Sequence, residues 1–536
     1  MKLTYEGLKD RECWKNAGIA LPEYDIEEVS RRTRRAPVWV HFGIGNIFRI
    51  FIGGIADKLI TSGNADRGIT CIETFDFDVV DKIYEPFDNL TLAVTLHADG
   101  STEKRVLGSL GEAIAARMND EPTRLRLREI FTDPGLQMCS FTITEKGYAL
   151  RRPEGEYLPY VAADMENGPG KVTGAMGIVT SLLYDRYLAG GSPVALVSMD
   201  NVSHNGEKLR ASVLETAEVW AANGLVREGF EDYLNDETKI SFPWTMIDKI
   251  TPRPGESVSD MLSEDGVEDM DILVTHRKTY IAPFVNAEAP GYLVVEDSFP
   301  NGRPALEKAG VFMTDRETVN RSERMKVTVC LNPIHTAVCT YARLLGYELF
   351  ADAIRDKDLH ELAYRIGYVE GLPVVEDPGI ISPKDFLDEL MTERFPNAYL
   401  GDTNARIAVD ISQMVGIRFG ENIKAYTSEY GSASKLTAVP LAIAGWIRYL
   451  LAVDDEGKPF ELSPDPLLAY LTGMIDDVRV GDPDSLGDSI RPLLSNANIF
   501  GSDLYEAGIG EKIESMVKKM LEGPGAVRNT LSTYLD

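Results

Sequence analysis

Val38-Trp39-Val40-His41-Phe42-Gly43-Ile44-Gly45-Asn46-Ile47-Phe48-Arg49 is the stretch on which the fold turns. An apolar run after Pro37 passes straight into Gly-x-Gly and then into a helix-like segment reaching Leu59. The first glycine permits a tight turn. The second lets a pyrophosphate approach backbone N–H groups at a helix N-terminus. The third glycine of the usual G-x-G-x-x-G is absent, and Phe48 stands in its place, so the motif alone is weak. Its surroundings strengthen it. A second apolar run, residues 68–73, ends in the acid Glu73. A carboxylate there can accept hydrogen bonds from adenosine ribose hydroxyls and repels a 2′-phosphate, which favours NAD over NADP. The expected cofactor contacts are therefore Gly43, Ile44, Gly45, Asn46, Ile47, Phe48 and Glu73, with Asp76 and Asp78 close enough to be confused with the last.

Working outward, residues 137–144, 193–198 and 271–275 read as further strands, separated by helical patterns. Such alternation predicts an α/β domain with a parallel sheet and crossover helices. Past about residue 320 strand-like runs become rare. Helical patterns cover 333–350, 351–368, 383–395, 404–415, 435–453 and 509–521. The reading is a sheet domain over 1–310 and a mostly helical domain over 311–536, joined through the Pro- and Gly-rich segment 280–305.

The 536 residues are 44% apolar, ample for two large cores. The formal charge of −29 disfavours phosphate backbones and anionic lipid surfaces, so neither nucleic acid nor membrane is an expected partner. Five cysteines without a C-x-x-C pair exclude a zinc ribbon or disulfide scaffold and fit a reducing cytoplasm. Met1-Lys2-Leu3-Thr4-Tyr5-Glu6 soon becomes charged and has no apolar h-region, so no secretory leader is expected. The longest uncharged apolar run, Leu436–Ile447, is too short to span a bilayer and reads as a buried helix. The basic run Arg31–Arg35 reads as a solvated helix end.

Three polar segments stand out: Val197-Ser198-Met199-Asp200-Asn201, Met246-Ile247-Asp248-Lys249, and Lys326-Val327-Thr328-Val329-Cys330-Leu331-Asn332-Pro333-Ile334-His335. Oxidising an alcohol needs a base for the hydroxyl proton and donors for the developing alkoxide. Six histidines with no H-x-x-x-H and no Cys/His cluster give no zinc site, so no metal is expected. A lysine can serve as base where its surroundings favour the neutral amine. Asparagine amides can supply the donors. Asn332 before Pro333 reads equally well as a helix N-cap.

Jointly these segments resemble the mannitol dehydrogenase family, the polyol-specific long-chain dehydrogenases. Matching pieces run in family order from about residue 37 to 430. They are the Gly-x-Gly turn with Arg49, Thr142–Tyr148, Ser198–Asn201 with His204-Asn205-Gly206, Asp248–Pro252, Val295–Phe299, Asn332–His335 and Arg406–Gln413. The resemblance implies an α/β Rossmann-type parallel-sheet domain followed by a mostly helical domain, with the active site between them. It implies metal-independent hydride transfer with NAD and a small sugar acid or polyol, in a monomer or small homo-oligomer. It makes Lys326 the base, Asn201 and Asn332 the oxyanion donors and His335 a substrate-positioning group. Asp248 and Arg406 would touch substrate, and Thr144 and Glu145 would lie at the nicotinamide end of the cofactor.

Two departures from the family pattern carry structural expectations. The lysine usually stands five residues before the asparagine; here Lys326 stands six before Asn332. One extra residue turns a side chain by about 100° on a regular helix, so a π-bulge or a break is expected between 326 and 333. Met414 replaces a lysine common after Ser-Gln, and its contact falls to Arg418 or Lys424. The wording around Asn332 looks most like the fructuronate reductase (mannonate oxidoreductase) branch. A carboxylate-bearing substrate there needs a cationic clamp, with Arg406, Arg277, Lys278 and Arg253 as candidates. Rival expectations are mannitol with fructose, altronate with tagaturonate, and a non-catalytic NAD-binding protein.

Overall fold

The computed structural model describes residues 1–536, and the chain divides into two compact units. The first comprises Met1–Leu96 with Ser101–Asn320, the second His97–Gly100 with Arg321–Asp536.

Six parallel strands form the main sheet of the first unit: β1 (Trp39–Phe42), β2 (Ile69–Glu73), β3 (Leu110–Ala115), β4 (Met138–Phe141), β5 (Val194–Ser198) and β6 (Ile240–Ser241). Their spatial order is β3-β2-β1-β4-β5-β6, the strand order of dinucleotide-binding Rossmann folds. Successive side chains on a strand point to opposite faces, and here both faces are covered. Val40 and Phe42 pack with Leu127, Ile178 and Leu209 of three crossover helices. Trp39, one residue before Val40 and so on the opposite face, packs with Ile55 and Leu59. Burial on both faces explains why β1, β2, β4 and β5 read as nearly unbroken apolar runs.

β3 escaped the sequence reading because Gly111 and Glu112 interrupt its pattern. It is an edge strand, where Glu112 can reach out to Arg126 at 2.8 Å, and a Cβ on Gly111 would stand 2.6 Å from Thr33. Residues 271–275 give no strand of the main sheet. Only Leu273–Val274 extends, in an exposed two-stranded ribbon with Tyr280–Ile281. The expected connection 280–305 also proves wrong, because Phe284–Glu288 and Tyr292–Glu296 are strands with mostly buried side chains. Phe284–Glu288 pairs in parallel with Thr91–Leu96, and Tyr292–Glu296 pairs antiparallel with Thr245–Asp248. Pro and Gly flank these strands and masked them.

The second unit is helical. The helix Ala438–Tyr449 is buried at every position and lies between Asn332–Leu344 and Gly510–Met520. Its packing is close, since a Cβ on Gly445 would stand 2.4 Å from the Tyr341 ring. The buried Glu370 carboxylate accepts from the N–H groups of Thr437, Ala438 and Val439 and so satisfies the first turn of that helix. No helix of the chain is long and apolar enough to cross a membrane. The arginine run falls at the C-terminal end of the helix Ile26–Arg35, where cations complement the helix dipole.

Candidate active site

Because the main sheet is parallel, β1, β2, β4 and β5 all end on one edge, and the loops there bind each other. Gly43 has φ +84°, and a Cβ on it would stand 2.3 Å from the Thr142 carbonyl oxygen, so only glycine fits the first turn position. Gly45 differs: no atom lies within 4 Å of where its Cβ would be. That open space faces the helix start at Asn46, whose first N–H groups have no partner in the helix ladder. A pyrophosphate fits this cradle. Glu73, at the end of β2, is buried. Its carboxylate accepts from Ile44 N at 3.3 Å, Phe75 N at 2.8 Å and Asp76 N at 3.2 Å. Burial pushes its pKa up against those hydrogen bonds. Glu73 therefore braces the turn from beneath with both oxygens engaged.

Two residues that sequence reasoning left without a role complete this brace. Arg49 is fully buried and donates to the carbonyls of Ala282 and Phe284, and burial lowers its pKa to about 10. His41 sits in β1 with Nδ1 2.6 Å from Ser140 Oγ and Nε2 2.8 Å from Thr142 Oγ1. Trp39 Nε1 donates to the same Ser140 oxygen, and Thr142 Oγ1 donates to Gly43 O. Thr142 Oγ1 gives its proton to Gly43 O, so the His41 Nε2–H donates to it, and Nδ1 meets the Ser140 hydroxyl. Burial accordingly holds His41 well below its usual pKa.

Asn201 is exposed just beyond β5, and Thr144 and Glu145 are exposed beyond β4. Thr144 takes φ +62°. The strain is held by Asp200, whose carboxylate accepts from Ile143 N and Thr144 N at 2.9 Å each and from Tyr148 Oη at 2.6 Å. Glu145 pairs with Lys208 on the surface. Asp248 is buried at the end of its strand. The structure thus gathers the glycine turn, Glu73, Thr144 and Asn201 on one sheet edge. Asp200 organises that edge, a role visible only once its three donors are in place.

In the second unit Lys326 lies inside a π-helical turn, Met325–Cys330, and is 2% exposed. Leu331 N donates to Lys326 O at 3.0 Å, five residues back. The wider turn absorbs the additional residue that the spacing to Asn332 requires. The π turn runs on into the helix Asn332–Leu344 with Leu331 still in the right-handed helical region. There is consequently no break to cap: Pro333 sits in the first turn, and the Asn332 side chain is not an N-cap. Its side-chain amide is half-buried with no partner in the chain; the main-chain carbonyl of Asn332 accepts from Thr336 Oγ1 at 3.0 Å. His335, one turn along, packs against Phe350 and Phe395 at 4.7 and 5.0 Å between ring centres. Lys326, Asn332 and His335 therefore stand on successive turns of one continuous helical segment.

The candidate cations separate clearly. Arg406 is exposed and paired with Asp402. Lys424 is paired with Glu421. In the first unit, Arg277 lies over Phe75 and Arg253 over Tyr280. Arg418, in the π-helical turn Gly416–Gly420, donates to Thr336 Oγ1 at 2.6 Å and has no acidic partner. Asp76, Asp78 and His276 bring three potential ligand atoms within 4.8 Å of one another. They already form a knot with Lys82 and Thr275, with Lys82 Nζ 3.0 Å from Asp78. Cys71, Cys139, Cys330 and Cys339 are buried, and burial pushes the Cys339 thiol up to about 12.

Comparison with known proteins agrees with this architecture. The mannitol dehydrogenase Rossmann domain matches residues 37–308, and the mannitol dehydrogenase C-terminal domain matches 318–521. A D-mannonate oxidoreductase of Thermotoga maritima is 50% identical over 534 residues, 99% of this chain and 98% of that one. Among solved structures, a substrate-free D-sorbitol dehydrogenase superposes with a TM-score of 0.78 at 25% identity, covering 96% of this chain and 98% of its own. A Pseudomonas fluorescens mannitol 2-dehydrogenase, in ternary complex with NAD and D-mannitol, superposes with a TM-score of 0.71 at 24% identity, covering 100% and 99%.

Proposed function

The chain belongs to the mannitol dehydrogenase family, and from that premise we propose that it interconverts D-mannonate and D-fructuronate with NAD, using Lys326 as the proton acceptor. The likeness to a D-mannonate oxidoreductase over almost the whole chain supports the substrate. The observation that carries the chemistry is Lys326, buried in a π turn that leads directly to the unpartnered amide of Asn332.

The dinucleotide would be held at Gly43–Phe48, with the N–H groups of the helix start toward the pyrophosphate and the Glu73 carboxylate disfavouring a 2′-phosphate. When bound, its nicotinamide supplies the two-electron exchange with the alcohol carbon. The protein's own groups handle the proton and the oxygen. The Lys326 amine takes the hydroxyl proton as the carbinol becomes a carbonyl and returns it in reduction. The amides of Asn201 and Asn332 donate to that oxygen as negative charge grows on it. His335 orients the substrate chain, Asp248 and Arg406 bind its hydroxyls, and Thr144 and Glu145 border the nicotinamide end.

A kinetic panel with NADH tests the substrate. D-Fructuronate should give a higher kcat/KM than D-tagaturonate or D-fructose, and a preference for fructose would overturn the reading. For the base, Lys326→Ala should leave NADH affinity nearly unchanged and cut turnover by about 10²–10⁴. Wild-type turnover in that variant would remove Lys326 from the mechanism, and activity that disappears on exhaustive chelation would point to a metal instead.

A further inference from the structure

Arg418, in the π-helical turn Gly416–Gly420 packed against the helix that carries Asn332 and His335, is half-buried and lacks the partners a desolvated cation normally has. A guanidinium presents five N–H donors. In Arg418 only Nη1 has a partner, the Thr336 hydroxyl at 2.6 Å. Nε is buried with no hydrogen bond at all, and Nη2 makes none within the chain. No carboxylate pairs with it. Burial lowers its pKa, and the electrostatic neighbour that opposes the shift is the Cys339 thiol. The fully buried arginines show the usual solution. Arg49 donates to Ala282 O and Phe284 O, and Arg448 donates to the carbonyls of Met520, Val453 and Asp454. A desolvated charge left without such partners is costly and persists where a ligand completes it.

Its position identifies the ligand. Thr336, which Arg418 touches, lies one turn beyond Asn332 and bonds back to the Asn332 carbonyl. Residues four apart share a helix face, so the guanidinium is fixed beside the face that presents the Asn332 amide. Nη2, which makes no bond within the chain, is the donor left for a carboxylate, and the planar guanidinium sets its direction. Arg406 is poorly suited, because Asp402 already occupies its guanidinium.

We propose that Arg418 is the specificity-determining residue that binds the carboxylate of a sugar-acid substrate and selects it over a neutral sugar. This rests on the reading of the substrate as a sugar acid. The Thr336 hydroxyl fixes the guanidinium plane, and the carboxylate supplies the charge that the protein withholds.

The test uses the purified full chain and compares the ratio of kcat/KM for D-fructuronate to that for D-fructose. Arg418→Met should lower the ratio about a hundredfold, the scale for removing one partner of a desolvated charge pair. NADH affinity and the thermal midpoint should not fall. Arg418→Lys should restore part of the ratio, because the charge returns without the planar guanidinium. Thr336→Val should lower it by a smaller factor while leaving the charge in place. If the wild type prefers fructose, the substrate reading fails and this proposal fails with it. If the wild type prefers fructuronate and Arg418→Met keeps that preference, only the role of Arg418 is overturned. Should Arg418→Met not fold, the Arg418→Lys and Thr336→Val ratios decide, and wild-type values in both would overturn the proposal.

Discussion

At the glycine turn of the first unit, His41, Glu73, Arg49 and Asp200 each hold two or more hydrogen bonds to neighbouring loops. In the second unit, the Asn332 amide has no partner in the chain, and Arg418, in the turn beside that helix, uses one donor of five. The first arrangement spends its polar groups on shape. Saturated buried networks fix one conformation, because any alternative strands a donor or an acceptor. The second leaves polar groups that no partner in the fold uses, as the proposed substrate site requires. A binding site needs both kinds of region, one rigid enough to position and one incomplete enough to bind.

Paired substitutions break this contrast most directly. Asn332→Ala removes a donor that the fold does not use. It should raise the reaction barrier by about 3 kcal/mol, as for one oxyanion donor, and leave stability within about 0.5 kcal/mol. Asp200→Ala strands the backbone N–H groups of Ile143 and Thr144 and leaves the Tyr148 hydroxyl only Ser198, and should cost about 3 kcal/mol of stability. Denaturation midpoints and kcat measured on both variants decide it. A destabilised Asn332→Ala with normal kcat would reverse the assignment.

The two glycines sharpen the same comparison within a single turn. Gly43→Ala combines a positive φ with an approach of 2.3 Å to a carbonyl oxygen, and should destabilise the chain by about 2 kcal/mol or more. Gly45→Ala meets no atom and should be stable, yet its methyl group enters the space reserved for the pyrophosphate. NADH titration of Gly45→Ala should show affinity weakened at least tenfold at an unchanged melting temperature. Undiminished affinity would place the dinucleotide elsewhere.

What the sequence disclosed follows the same division. Strands covered on both faces announce themselves as apolar runs, so β1, β2, β4 and β5 were legible. β3 was hidden by Gly111 and Glu112, which only an edge position tolerates, and Phe284–Glu288 and Tyr292–Glu296 were masked by flanking Pro and Gly. The π turn at Lys326 was legible for a geometric reason, since one surplus residue in a helix must be absorbed where it occurs. Asp200 and His41 could not be assigned from their types, because their work consists of partners at distant sequence positions. Arg418 stood among the alternatives only as a charge in a helical stretch. Whether an arginine is solvated, paired or stranded is a property of the surrounding fold, and the structure alone distinguishes it from Arg406 and Lys424.

The smallest predicted effect concerns pH and tests whether the saturated network really excludes charge. His41 is neutral in the folded chain and titrates well below 6.5, whereas in the unfolded chain it protonates near 6.5. Below that pH the unfolded state therefore binds a proton that the folded state does not, so stability from this group is complete above 6.5 and declines as pH falls. The decline is about 1.4 kcal/mol per pH unit until the folded ring itself protonates. His41→Asn removes the titrating ring and should be less stable at neutral pH, because an amide cannot reach both Ser140 and Thr142 with the same geometry. Its stability should also fall less steeply between about pH 6.5 and about pH 5.5. The informative quantity is the difference between the two slopes, since every other group contributes equally to both chains. Parallel slopes would mean that the imidazole accepts its proton in place, and that the hydroxyls of Ser140 and Thr142 reorient to accommodate it rather than hold it neutral.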